Sequence, residues 1–244
     1  MNVVPKRLPA TIHRPEQCPK SADPRKNLRN CTRTREPPDT FESTTRSDPM
    51  SHDRFPGSLE TDRLFIRSAR PGDGEIHHRA VHESLAELRP WLPWVQTPPT
   101  VESCEEVCRA AHARYLAGED MMALVFLKAS GELIGGSGLH DMNWTLRCCE
   151  IGYWGRTGYT GRGLITEAVR ALADHALREL AANRVFLTTD DANVRSWSLA
   201  ERAGFELEGL LRNDRFNVTG QLRDTRVYAR VPARPAATRR SPTG

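Results

Sequence analysis

Hydrophobic and polar residues recur along the middle of the chain at two periods. Leu59 to Ala69 alternates around Leu64 and Ile66, the spacing of a half-covered strand, and Pro71-Gly72 breaks it. Asp73–Leu88 and Val101–Ala117 carry helical patterns. Thr100 stands where a cap belongs, and Glu102, Glu105 and Glu106 load the first turns of the second helix with negative charge. Met121–Lys128 and Glu132–Leu139 are apolar runs joined by Ala129-Ser130-Gly131, which predicts a β-hairpin. Arg147–Trp154 reads as a strand and 155–163 as a glycine-rich loop. Residues 164–180 read as a helix whose Leu164, Ile165, Ala168, Val169, Leu172, Ala173, Ala176 and Leu177 form one stripe. Arg184–Thr189 is a β-rich run, Asn193–Ala203 a helix closed by Gly204, and Phe205–Leu210 and Leu222–Val231 are the last strands. Strands and helices interleave in one α/β domain (α+β in its segregation of helices) around a mixed sheet.

The flanks lack this patterning. Residues 1–57 hold nine of the seventeen prolines and almost no apolar periodicity. They bury too little surface to offset the cost of ordering a backbone and are expected to be a disordered basic tail. Residues 233–244, rich in Pro, Arg, Ser and Thr, are expected to be a second tail, leaving 58–232 as the folded domain. The first tail reads either as a solvated arm or as a contact for RNA or the ribosome, and a third reading starts translation at Met50. The longest apolar run, Met121–Leu127, is far short of the roughly 20 residues of a spanning helix. The N-terminus has no apolar h-region, so no membrane partner and no secretory signal are expected, and the expected compartment is the cytoplasm.

Charge divides in the same way. Residues 1–57 carry net +4 and 233–244 net +3, which leaves −3 of the chain's +4 for the domain and argues against a DNA-binding surface. Six cysteines, at 18, 31, 104, 108, 148 and 149, include no CxxC pair. Cys104 and Cys108 stand one helical turn apart without His or Cys partners at ligand spacing, and Cys148 and Cys149 cannot both face inward on a strand. No metal is expected, and all six read as reduced thiols. His77, His78 and His82 read as surface histidines of a helix, although His78 and His82 have the i,i+4 spacing of metal ligands.

The chemistry-bearing text is Gly155-Arg-Thr-Gly158-Tyr-Thr-Gly161-Arg-Gly163-Leu-Ile-Thr-Glu. A strand runs into a glycine loop that opens an amphipathic helix. Unpaired N–H groups at such a start, with the helix dipole behind them, suit a pyrophosphate, and Arg156 and Arg162 can add charge-assisted bonds. No GK[ST] follows, so it is not a P-loop; Ile165-Thr166 stands where a GxGxxG fingerprint needs its third glycine. The plainer reading is an ordinary βα loop. A second constellation is Asn193-Val-Arg-Ser196, two polar side chains on one face at a helix start, readable also as an N-cap and its N3 hydroxyl.

Together these stretches make residues 59–231 similar to the GNAT acyltransferase superfamily, and within it to the RimJ/RimL type of N-terminal protein acetyltransferase. The text that carries the resemblance begins with Leu59-Glu-Thr-Asp-Arg-Leu-Phe-Ile-Arg, Arg89-Pro-Trp-Leu-Pro-Trp94 and Glu132-Leu-Ile-Gly-Gly-Ser-Gly-Leu139. It continues with Ile151-Gly-Tyr-Trp154, Thr160-Gly-Arg-Gly-Leu-Ile-Thr-Glu-Ala168, Asn193-Val-Arg-Ser196, Glu201-Arg-Ala-Gly-Phe-Glu-Leu-Glu-Gly209 and Tyr228-Ala-Arg-Val231. Two departures stand out: Gly158 replaces the usual Gln or Arg of the loop, and Thr160 stands where a basic residue is frequent.

The resemblance implies a GNAT-like, mostly antiparallel twisted sheet with helices on both faces. It implies acetyl-CoA as co-substrate and no metal. The acceptor is a primary amine, foremost the α-amine of a protein or peptide, attacking directly in a ternary complex. The rivals are a small-amine acetyltransferase (antibiotic, polyamine or aminoacyl toxin) and a non-catalytic acyl-CoA-binding sensor. By the same resemblance the backbone of Tyr153 and Trp154 holds the pantetheine, while Arg156, Gly158, Gly161, Arg162, Gly163 and Leu164 form the phosphate side, and Asn193 and Ser196 also bind the cofactor. Glu150 is the expected base. Ser196 is the expected proton donor to the leaving thiolate, because no tyrosine occurs between 160 and 227. Trp91 and Trp94 either line an acceptor groove or pack a helix connection. A homodimer is implied by resemblance alone.

Overall fold

The computed structural model describes residues 55–232. The tail readings, the Met50 start, Cys18 and Cys31 lie outside the described residues. Eight strands form one sheet in the order β1-β2-β3-β4-β5-β6-β8-β7. The strands are β1 (Ser58–Glu60), β2 (Leu64–Ser68), β3 (Met121–Leu127), β4 (Leu133–Asn143), β5 (Cys148–Gly155), β6 (Arg184–Asp190), β7 (Glu206–Phe216) and β8 (Leu222–Arg230). All neighbours pair antiparallel except β5 and β6. The helices are α1 (Gly74–His82), α2 (Leu85–Leu88), α3 (Val101–Leu116), α4 (Leu164–Arg178) and α5 (Val194–Arg202).

Side chains alternate across the sheet and build a core on each face. Leu64, Val125, Leu139, Ile151 and Tyr153 face α4 and α5, packing on Leu164, Ala168 and Leu172. Leu124, Leu133 and Trp154 face α1, α2 and α3, packing on Val81, Leu88 and Cys108. Helices therefore cover both faces, as expected. α1 and α3 touch so closely that a Cβ on Gly74 would lie 2.6 Å from the Glu105 Cβ.

Several boundaries move for local reasons. The first predicted strand is two strands, because Leu64 N–H turns back to the Thr61 hydroxyl at 3.0 Å. The first predicted helix splits at Ser84, whose hydroxyl bonds the Ala80 carbonyl at 2.8 Å. Thr100 caps α3 through a reciprocal box with Ser103, not with a glutamate. Phe55, assigned above to the tail, is buried among Tyr115 and Trp144, so ordered packing begins before residue 58. Cys104, Cys108, Cys148 and Cys149 are free thiols. Burial pushes the Cys108 and Cys149 thiols up to about 12. The surface assignment of His77 is overturned: it is 4% exposed, edge-on to Trp154 with ring centroids 5.9 Å apart.

Candidate active site

The parallel ladder between β5 and β6 pairs only Cys148–Glu150 with Arg184–Phe186. Both strands continue, β5 to Gly155 and β6 to Asp190, so they part beyond Glu150 and open the sheet into a cleft. The glycine loop leaves β5 at the mouth of that cleft. Gly158, Gly161 and Gly163 take φ of +90°, +78° and +72°, where an L side chain is strained. Gly163 is the N-cap of α4 and offers no side chain to its first amides, which keeps them free for an anion. A Cβ at Gly158 or Gly161 would meet nothing within 4 Å, so the loop is open on its outer side.

The loop is pinned from both flanks. Arg63 bonds the Arg162 carbonyl at 3.1 Å and pairs with Glu167 in the first turn of α4 at 2.5 Å. Burial raises the Glu167 carboxyl, but hydrogen bonds from Thr61 and Arg63 overcome it and hold the group below its ordinary value. On the other flank Arg156, expected at a phosphate, forks onto Glu83 at 2.7 and 3.0 Å. Thr157 adds bonds to Ser84 Oγ and to Glu87, each at 2.9 Å. Arg156 thus ties the loop to the α1–α2 turn, whereas Arg162 lies exposed over the Tyr159 ring.

On the α4–α5 side of the cleft Asn193 caps α5, its Oδ1 accepting the Ser196 N–H at 3.2 Å. Tyr153 reaches the same turn: its hydroxyl donates to the Ser196 carbonyl at 2.9 Å and lies 3.2 Å from Ser196 Oγ. Burial pushes the Tyr153 phenol up to about 12. Its side-chain role was missed in the sequence, where Tyr153 stood only for a backbone contact; its inward register on β5 was the available signal.

On the opposite face Glu150 accepts the Thr188 hydroxyl at 2.9 Å. Burial raises its carboxyl above the ordinary 4.5, against the lowering effect of that bond. Glu150 stands across from His140 in the β4–β5 register. Trp154, next but one along the same face, lies over Gly136, where a Cβ would be 2.4 Å from the indole nitrogen. Trp91 and Trp94 are half-buried against the second core with Trp154 and Leu88, and Leu164 is buried beneath the start of α4. The structure therefore gathers Glu150, Tyr153 and Ser196 about the cleft and the glycines at its mouth, while Arg156 is held by the α1–α2 turn.

The sheet thus parts beside a glycine loop at a helix start, with the buried Tyr153 and Ser196 hydroxyls on one side and the half-buried Glu150 carboxyl on the other. The chain belongs to the acetyltransferase (GNAT) family, whose domain matches residues 63–206. It is 30% identical over 168 residues, 69% of this chain and 91% of the relative, to YdaF of Bacillus subtilis (strain 168), named as a ribosomal N-acetyltransferase. It is 26% identical over 161 residues, 64% of this chain and 88% of the relative, to the ribosomal-protein-serine acetyltransferase of Escherichia coli (strain K12). The solved structure of RimL, a ribosomal-protein α-N-acetyltransferase in complex with coenzyme A, superposes with a TM-score of 0.67 at 23% identity, covering 71% of this chain and 97% of that one.

Proposed function

We propose that the protein is an acetyl-CoA-dependent N-acetyltransferase acting on a primary amine, foremost the α-amine of a protein or peptide. One observation carries the reading. A single strand, β5, presents Tyr153 with Ser196 on one face and Glu150 on the other, where β5 and β6 part. The names of the relatives from Bacillus subtilis and Escherichia coli point to the same acceptor class.

Acetyl-CoA, when bound, supplies an activated acyl carbon and a thiolate leaving group. Gly158, Gly161, Gly163 and the first amides of α4 hold its pyrophosphate, with Arg162 adding charge; the parted edge of β5 at Tyr153 and Trp154 offers backbone groups to the pantetheine amides. Glu150 takes the proton from the acceptor ammonium, and the upward shift that burial gives its carboxyl makes it a stronger base for that step. An α-amine, with a pKa near 8, needs less help than a lysine near 10.4. Tyr153 donates to the Ser196 carbonyl, so in the 3.2 Å contact between the two hydroxyls Ser196 is the donor, and it turns that proton from the Tyr153 oxygen to the departing thiolate. Attack is direct, within a ternary complex.

The test is coenzyme A release by the full chain given acetyl-CoA and an acceptor panel. Release with a peptide beginning in Ala, Ser or Thr, lost when its N-terminus is blocked, supports the reading. Release only with polyamines or aminoglycosides moves the acceptor to a small amine. Tight acetyl-CoA binding with no release from any of them favours a sensor.

A further inference from the structure

The turn between β1 and β2 reaches across 104 positions of chain to the first turn of α4. The Arg63 guanidinium makes three contacts there. Its Nε and Nη2 both meet Glu167 Oε2, at 2.7 and 2.5 Å, and its Nη1 donates to the Arg162 carbonyl at 3.1 Å. Glu167 Oε1 accepts the Thr61 hydroxyl at 2.5 Å and the Arg63 backbone N–H at 3.3 Å. The Arg63 and Glu167 side chains are 48% and 22% exposed. An ion pair so open to solvent adds little to stability, so its consequence lies in the loop it shapes. Two effects reach the cradle. In a trans peptide the carbonyl and the following N–H point in opposite directions. Holding the Arg162 carbonyl at Arg63 therefore aims the Gly163 N–H away from the β1–β2 turn. The guanidinium also stands against the start of α4: a Cβ on Gly163 would lie 3.9 Å from Arg63 Nη2. Glu167 is the acid of that first turn. Unpaired, its carboxylate would repel a second anion at the same helix end; paired, its charge is cancelled.

We propose that Arg63 is a positioning residue for the cofactor: it fixes the Arg162–Gly163 peptide and cancels the Glu167 charge, so that the start of α4 receives the pyrophosphate of acetyl-CoA. This rests on the transferase reading above and extends the site to a turn on the far side of the sheet from β6. Arg63 acts through the loop backbone and through Glu167. Its effect therefore follows the phosphates, not the acyl group or the acceptor amine. Arg156, on the other flank, cannot replace it, because its guanidinium is committed to Glu83 and to the Leu133 carbonyl.

Two measurements on the full chain test the role. The first is calorimetric titration with acetyl-CoA. Arg63→Gln is expected to weaken binding by about 10-fold or more, through the lost charge-assisted bonds and the uncancelled carboxylate. Arg63→Lys keeps the charge without the planar guanidinium and is expected to fall between the two. The double variant Arg63→Gln/Glu167→Gln, which also removes the repelling charge, is expected to bind more tightly than Arg63→Gln alone. The second is steady-state kinetics with a peptide bearing an N-terminal serine. The KM for acetyl-CoA is expected to rise, while kcat and the peptide KM stay within about 2-fold of wild type. With acetyl-pantetheine, which has no pyrophosphate, Arg63→Gln and wild type are expected to match. Thermal melts establish that each variant is folded, and Arg63→Lys carries the comparison if Arg63→Gln is not. Wild-type affinity for acetyl-CoA in the folded variant overturns the proposal. So does an equal loss with acetyl-CoA and acetyl-pantetheine, the mark of a merely structural role. If the wild type binds acetyl-CoA but acetylates no amine, the transferase reading fails by itself, and calorimetry still decides the role of Arg63. If the wild type binds no acetyl-CoA, both fall.

Discussion

Replacing Glu150 with glutamine separates its proposed chemistry from its structural part. The amide keeps the size of the carboxyl and an oxygen that accepts the Thr188 hydroxyl, now 2.9 Å away. What is removed is the charge, and with it the ability to take a proton. General-base catalysis contributes about 100- to 10,000-fold, so kcat should fall by that factor, about 3–5 kcal/mol in the barrier. Acetyl-CoA affinity should not change, because the Glu150 carboxyl is turned to Thr188 on β6 and the proposed pyrophosphate cradle is made by the glycine loop and the start of α4. The pH behaviour has a worked sign. Burial raises the folded-state pKa above the ordinary 4.5. The stability linked to that proton is therefore complete below 4.5 and lost as pH rises through the folded value. Activity needs the opposite form and rises through the same range. Glu150→Gln should then melt no lower than wild type at pH 7–8 while losing the acid limb of kcat. Steady-state thiol release and thermal melts between pH 5 and 9 read both. A variant with wild-type kcat, or one whose kcat loss tracks a lowered melting temperature, refutes the assignment.

Other perturbations probe the rest of the site. Gly163→Ala puts a side chain at φ +72° with room beside it, so strain alone should cost about 1 kcal/mol of stability, and isothermal titration should show weaker acetyl-CoA binding. Ser196→Ala should lower kcat by less than Glu150→Gln does, since a thiolate leaves tolerably without a donor. Asn193→Ala removes the α5 cap and should cost about 1 kcal/mol in denaturant unfolding. His77 is buried and its pKa is pushed down from 6.5 to about 4. The stability it contributes is present above 6.5 and lost as pH falls toward 4, a slope of up to about 3 kcal/mol that His77→Phe should flatten in pH-dependent melts.

The periodic parts of the fold were legible in the chain. The stripe from Leu164 to Leu177 and the hairpin at Ala129-Ser130-Gly131 follow from local spacing, and the structure has both. β4 and β7 run to Asn143 and Phe216, beyond the alternation that predicted them, because neighbouring strands extend the ladders past the apolar run. The site was legible only where backbone made it. Glycines announce their own positive φ, and Asn193 with Ser196 announces a helix start. The Tyr153–Ser196 contact spans 43 positions, the Arg156–Glu83 pair 73, and the Asp120–His140 pair 20. None leaves a local mark. His77 misled for the same reason: on α1 it looks like one more polar residue, until the sheet places Trp154 beneath it.

The proposed reaction transfers an acetyl group to an α-amine. Its most direct measurement is mass spectrometry of a peptide with a free N-terminal serine and an internal lysine, incubated with the full chain and acetyl-CoA. One acetyl group is expected, on the N-terminal nitrogen, with coenzyme A released in equal amount. Acetylation confined to the lysine, or none while polyamines are acetylated, contradicts it.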